Sequence, residues 1–320
     1  MKFGSFSLVL NKDEYSNIGF EFNDYDNIML KITQKPDTLG EINYLDFLSK
    51  KNDYVVEMYK YTKIDINLDD KLIEYLSNCI REQDIYNIFQ LKLSEEKFIG
   101  YFMENLGNID IFDSLTQLLN NEPNIWDVDT DNRLTLFGLQ MCNALKYLKQ
   151  NSIAHLDIKV ENIIYNNNTI SMPFEKRFKL IDFGFSDTYP FNNYKNKLYG
   201  SPFYSPYCSQ TEYPEWSLKL NPNDWTYNKQ HKKFVHYVVI NNADSNLIYK
   251  TDIYSMGIVF HQILYYINKY SNKNTGNHLL SSIIKHMTDI NINSRYDCDE
   301  CIDFLEDDKD NKYNCCIKLI

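Results

Sequence analysis

Two short stretches hold most of the side chains that could do chemistry: HLDIKVENIIY, from His155 to Tyr165, and KLIDFGFS, from Lys179 to Ser186. Moving a phosphoryl group needs a carboxylate for the hydroxyl proton, cations around the phosphates, and oxygens to hold Mg2+. Positioning and electrostatics carry nearly all of that reaction. Asp157 can accept a hydroxyl hydrogen, and Lys159, two residues on, lies on the same side of an extended loop where it can face a transferring phosphate. Asn162 and Asp182 supply the hard oxygen ligands that Mg2+ prefers. Gly184 is expected to give the backbone freedom that a sharp turn beside a ligand demands.

These residues need elements to place them. Residues 1–60 read as short strands, SFSLVL, NIMLKIT and YVVEMYKY, by their alternating or continuous apolar character. Between the last two, Ile42, Leu45 and Leu48 recur at spacings of three, the apolar face of a helix. Residues 69–82 read as a further helix inserted among the strands, and KFIGYFMENL as a buried strand running into a turn. From about residue 130 the helical period takes over: LTLFGLQMCNALKYLKQ is a long amphipathic helix, and helices return at 252–268 and 277–289. ENIIY and FKLID form two short strands around an Asn-rich turn. Strands first and helices afterwards is the α+β order, with segregated halves.

The bulk numbers restrict the partners. The chain has 320 residues and a net charge of −11, which argues against nucleic-acid binding, since a phosphate backbone needs a basic surface. The odd count of seven cysteines, with no secretory leader, reads as reduced thiols of a cytoplasmic protein. The longest apolar run, MGIVFHQILYYI, is too short for a bilayer, so a soluble protein with no membrane partner is expected. The remaining histidines and cysteines are read as structural, with no metal expected on them.

HLDIKVEN is similar to the H-R-D-x-K-P-E-N catalytic loop of the eukaryotic protein kinases, and Asp182-Phe183-Gly184 to their magnesium motif. The resemblance implies an ATP- and Mg2+-dependent serine/threonine kinase acting on protein substrates. It implies a two-lobed fold: a β-rich N-lobe over about 1–104 with its first strand missing, a hinge over 104–108, and a mainly helical C-lobe over 109–320 carrying an insertion at 208–248. It assigns Asp157 and Lys159 to catalysis and Asn162 and Asp182 to the metal. Lys31 in IMLKI resembles the strand lysine that meets the α- and β-phosphates, with Glu41 as its partner. Gly4 and Val9 fall in the phosphate-covering loop, Met103 at the gatekeeper position, Glu104 to Leu106 in the hinge that bonds adenine, and Ile164 in the nucleotide site. By the same resemblance Ser201 in GSPFYSP bonds the catalytic Asp and Lys, Asp252 braces the catalytic loop, and Leu45, Met58, His155 and Phe183 stack as an internal spine, with His155 structural.

The departures carry consequences of their own. Lys2 and Ser7 stand where the covering loop has glycines, and Met29 where a small residue lies above adenine. Leu156 replaces the arginine that pairs with an activation-loop phosphate, so activity is expected to be independent of phosphorylation on Thr188, Tyr189, Tyr194 or Tyr199. Tyr207 replaces the glutamate that pairs with the late arginine, Arg295. Lys159 resembles the serine/threonine rather than the tyrosine kinases, and Phe185 those that favour serine. Glu161 and Asp110 fall where relatives hold substrate arginines, which implies a basic peptide. Two other readings stand beside this one. A pseudokinase would be a binding or scaffolding module with a dead site. A small-molecule phosphotransferase would share the H-x-D-x-x-x-x-N loop but usually lack DFG.

Overall fold

The computed structural model describes residues 2–3, 7–17, 28–34, 38–49, 52–62, 98–107, 109–167, 172–189, 201, 204, 247–271, 279–289 and 291–317. The chain divides into two compact units, Met1–Leu106 and Gly107–Ile320. The inserted helix read at 69–82, Gly4, Tyr207 and nearly all of the 208–248 insertion lie outside the described residues.

The first unit is an antiparallel five-stranded sheet built from β1 (Lys2–Phe3), β2 (Ser7–Leu10), β3 (Ile28–Gln34), β4 (Met58–Thr62) and β5 (Phe98–Glu104), in the order β1-β2-β3-β5-β4. Directly opposed residues share a face. One face therefore carries Val9, Lys31 and Tyr101, together with Met29, Met103 and Met58, while the other carries Leu10, Leu30 and Phe102. Helix α1 (Lys12–Asn17) covers the second face, where Tyr15 meets Phe102 edge-on at 5.5 Å. Helix α2 (Thr38–Leu48) buries Ile42, Leu45 and Leu48 and brings Glu41 to Lys31 on the first face. The first strand, expected to be missing, is present as a stub: Lys2 and Phe3 pair with Val9 and Leu8. Two residues are too few to show alternation, so no apolar pattern announces this strand.

The second unit is mainly helical, so the α+β order expected from the sequence is present. Its helices are α3 (Ile111–Leu119), α4 (Thr130–Gln150), α5 (Tyr249–Tyr270), α6 (Leu279–Met287) and α7 (Cys298–Ile317). Two small sheets sit among them. Strands β6 (Ile109–Asp110), β8 (Ile163–Tyr165) and β9 (Phe178–Leu180) run in the order β6-β8-β9, while β7 (Ile153–Ala154) pairs with β10 (Asp187–Thr188). Phe137 on α4 joins the core together, edge-on to Phe178 at 4.8 Å, to Trp126 at 5.6 Å and to Phe260 at 5.7 Å. Gln140 fixes β9 against α4 by closing a pair of bonds on Phe178: its amide nitrogen donates to the carbonyl at 2.7 Å, and its oxygen accepts the N–H at 3.2 Å. At Gly257 a methyl group would stand 2.8 Å from Thr288 and 2.9 Å from Met287, so glycine is what lets α5 approach the end of α6 so closely. Among the described residues no helix is long and apolar enough to cross a membrane.

Candidate active site

The loop after β7 is held from beneath. Asp252, in the first turn of α5, accepts the backbone N–H of His155 at 2.6 Å and of Leu156 at 2.8 Å, one on each carboxylate oxygen. Leu156 sits at φ 64°, a left-handed backbone that costs a leucine roughly 1–2 kcal/mol. The two Asp252 bonds are what hold that conformation. Burial pushes the Asp252 carboxyl up to about 7; the two N–H donors oppose the shift, and the nearby Asp157 charge adds to it. His155 is fully buried, its ring 4.6 Å from that of Phe183. Its Nδ1 accepts the Asp157 N–H at 3.3 Å, so Nε2 carries the proton and donates to the Ile181 carbonyl at 3.0 Å. Desolvation lowers its pKa, which keeps the imidazole neutral. With both nitrogens committed to the backbone, His155 orders the loop rather than moving protons.

Above this support the Asp157 carboxylate receives four donors. Oδ1 accepts from the Ser201 N–H at 3.0 Å and its hydroxyl at 2.7 Å; Oδ2 accepts from Lys159 Nζ at 2.7 Å and Asn162 Nδ2 at 3.1 Å. Lys159 also donates to Ser201 Oγ at 3.2 Å, and Asn162 Nδ2 to the Asp157 carbonyl at 2.8 Å. Sequence-distant groups thus converge on one carboxylate that is 2 % exposed. The neighbouring strand is tied in by the Ile181 N–H, which donates to the Asn162 carbonyl at 3.0 Å. Asp182 follows at φ 65°. The strained residue is therefore the aspartate. Gly184 stays outside the left-handed region, and a methyl group there would meet only Asp182 Oδ1, at 3.5 Å. The backbone freedom expected of Gly184 is not what this turn uses.

The first unit carries the remaining charged group. Lys31 and Glu41 form a buried ion pair at 2.7 Å, 6 % and 3 % exposed. Val9 is half-buried directly across from Lys31, and Met103 is buried across from Met29. The Glu104 N–H is already committed to the Glu57 carbonyl at 2.8 Å, and Leu106 closes the unit as a buried residue. In the second unit Ile164 is the half-buried residue between buried Ile163 and Tyr165. Of the four spine residues, Phe183 and His155 touch one another, while Leu45 and Met58 are buried in the first unit.

Other residues settle differently from the sequence reading. Arg295, 1 % exposed, donates to the carbonyls of Lys250 at 2.7 Å and Asp289 at 2.9 Å and lies 5.1 Å over the Tyr254 ring. Glu161 reaches solvent, yet its carboxyl is raised: packing around it costs solvation, and Asp110 and Asp157 add like-charge repulsion. Three residues were missed. Gln140 has no signature beyond its place on a helix. Tyr204, within GSPFYSP, is buried with its hydroxyl on Gln262 at 2.8 Å, and its carbonyl accepts from Ser255 at 2.7 Å. Tyr189 was read only as a hydroxyl open to modification.

Comparison with known proteins agrees with this arrangement. The chain is 27% identical over 227 residues to a probable serine/threonine-protein kinase of Dictyostelium discoideum, covering 68% of this chain and 14% of that protein. It is 33% identical over 90 residues to the serine/threonine-protein kinase ppk25 of Schizosaccharomyces pombe, covering 26% and 20%. It is 26% identical over 145 residues to myosin light chain kinase family member 4 of Mus musculus, covering 45% and 34%. The chain thus spans between 14% and 34% of the length of these relatives. A family model described as the protein kinase domain matches residues 34–208, just over half of the chain and the stretch that holds Glu41, Asp157, Asn162 and Asp182. With the fold and these residues in register, the chain belongs to the protein kinase family.

Proposed function

We propose that this chain transfers the γ-phosphoryl group of ATP to serine or threonine hydroxyls of protein substrates. The observation that carries the reading is the Asp157 carboxylate, fixed by Lys159, Asn162 and Ser201. The donor set fits Mg·ATP. Asn162 has its amide nitrogen on Asp157, which leaves its oxygen for a metal, and Asp182 adds a carboxylate. Lys31, held by Glu41, offers an ammonium to the α- and β-phosphates. The bound nucleotide supplies the phosphoryl group, and the metal neutralises its charge. Asp157 orients the substrate hydroxyl and takes its proton as the new oxygen–phosphorus bond forms and the bond to the leaving diphosphate breaks. Lys159 neutralises charge beside that transfer. Val9, Glu104, Leu106 and Ile164 would hold the nucleoside, and Gly4, outside the described residues, is assigned to the phosphates by the resemblance alone. Acidic Glu161 and Asp110 favour a basic peptide.

The substitutions Lys2 and Ser7 in the covering loop favour the rival reading, a pseudokinase. One comparison separates them: label transfer from radioactive Mg·ATP to a basic protein by wild type and by Asp182→Ala. Wild type should transfer label, and removing a metal ligand should cut the rate about a thousandfold, as loss of several kcal/mol of transition-state stabilisation requires. No transfer to protein by folded wild type would sink the protein-kinase reading and leave the pseudokinase and the small-molecule phosphotransferase. Equal transfer by both proteins would remove Asp182 from the site.

A further inference from the structure

Between Asp182 and the undescribed stretch that begins at residue 190, the chain is fastened at successive points. The Ser186 N–H donates to the Phe183 carbonyl at 3.1 Å, and its hydroxyl to the His155 carbonyl at 3.2 Å. Asp187 and Thr188 pair with Ala154 and Ile153. The last described fastening is Tyr189, and it is the most elaborate. Its N–H donates to the Ser152 carbonyl at 2.9 Å, and its hydroxyl to the Lys149 carbonyl at 2.9 Å. Lys149 O lies in the last turn of α4, where it also accepts the Ser152 N–H at 3.0 Å. The Tyr189 ring lies 5.7 Å from that of Tyr249, the first residue of α5, at 30°. Lys149 sits 5.1 Å over the other member of that pair and bonds Asp297, just before α7, at 2.6 Å. One side chain thereby grips the end of α4 and the start of α5.

The strain at Asp182 makes such a grip necessary. A non-glycine residue in the left-handed region persists only when its surroundings over-determine it. Upstream, Ile181 is bonded to Asn162; downstream, the holding falls to residues 186–189. The position where the resemblance implies a phosphate-binding arginine is Leu156, buried and apolar. We propose that Tyr189 is a positioning residue, a phosphate-independent latch that keeps the segment from Asp182 to Tyr189 in the geometry the reaction uses. The inference rests on the kinase reading for its effect on turnover, but the latch itself does not. A phosphate on Tyr189 would abolish the hydroxyl donor and set a dianion against a helix C-terminus, where the Asp252 charge repels it although Lys149 attracts it, so it would open the latch. Burial raises the Tyr189 pKa, so the hydroxyl stays protonated and able to donate.

Tyr189→Phe tests this, because it keeps the ring on Tyr249 and removes only the hydroxyl. Amide hydrogen exchange across 183–189 should speed up about fivefold, the effect of losing one neutral hydrogen bond, while the interior of α4 is unchanged. Turnover should fall by about the same factor, with the KM for a peptide substrate unaltered. Unchanged exchange in 183–189 would overturn the latch. Faster exchange throughout α4 and α5 would reduce Tyr189 to a general stabiliser, and faster local exchange with unaltered turnover would overturn its positioning role. A wild-type protein that transfers no phosphoryl group would sink the kinase reading instead, and the exchange comparison would still decide whether Tyr189 is an anchor.

Discussion

Leu156 and Asp182 both take a left-handed backbone, and neither is a glycine. The groups proposed for the chemistry were legible in HLDIKVEN and DFG, because carboxylate, amide and ammonium groups at short spacing are visible in one dimension. The supports were less so. Gln140 and Tyr189 act by bonding backbone carbonyls far along the chain, and any polar residue at those positions looks the same in sequence. Asp252 was found only through the resemblance. Its environment supports a pH prediction. A folded pKa raised from 3.8 to about 7 means that Asp252 favours the folded state fully below pH 4, and that this contribution is lost as pH rises through about 7. Its hold on the loop runs the other way, since the ionised carboxylate is the stronger acceptor for the His155 and Leu156 N–H groups. Turnover should therefore fall as pH drops through about 7, without a matching loss of thermal stability from this residue. Asp252→Asn should turn over more slowly at every pH, since its NH2 would face a backbone N–H, and should lack the part of the acid limb that Asp252 contributes. Identical pH profiles for the two proteins would remove Asp252 as the source.

At the scale of elements, long and strongly patterned segments were readable and short capped ones were not. Helices α4, α5 and α6 appear within a few residues of the expected 130–150, 252–268 and 277–289, because an apolar face repeated over many turns dominates local noise. Helix α1 was overlooked between two strands. Its signal is a reciprocal cap, with the Asn11 N–H on Glu14 at 2.8 Å and the Glu14 N–H on Asn11 at 3.0 Å, and six residues offer too little periodicity beside it. Helix α3 is announced in the same way, by Asp110 and Asp113. The fit of α1 to the sheet is imperfect in one respect. Tyr15 is fully buried on Phe102, and its hydroxyl has no hydrogen-bond partner among the described residues. A desolvated, unpaired hydroxyl costs about 1–3 kcal/mol, whereas the ring itself is packed. Tyr15→Phe should raise the stability of the protein by about 1 kcal/mol, read as a higher midpoint in chemical denaturation. A lower midpoint would show that the hydroxyl has a partner after all.

For the molecule as a whole, the sum of its charges reaches beyond any one contact. With 33 basic and 44 acidic residues the net charge is −11, and among the described residues Glu161 and Asp110 add a local concentration of negative charge close to Asp157. A cationic peptide approaching this protein is attracted before any specific bond forms, which raises the encounter rate more than the rate of the chemical step. Salt screens such attractions between exposed charges. Raising ionic strength from about 0.1 M to about 1 M shortens the screening length from roughly 10 Å to roughly 3 Å, which leaves buried pairs such as Lys31–Glu41 nearly untouched. The KM for an arginine-rich serine peptide should therefore rise about tenfold across that range, with kcat nearly constant. A serine peptide of the same length without charge, assayed beside it, should show little change and so correct for any effect of salt on nucleotide binding. If both peptides respond alike, the field of the protein does not select its substrate, and the acidic composition serves solubility alone.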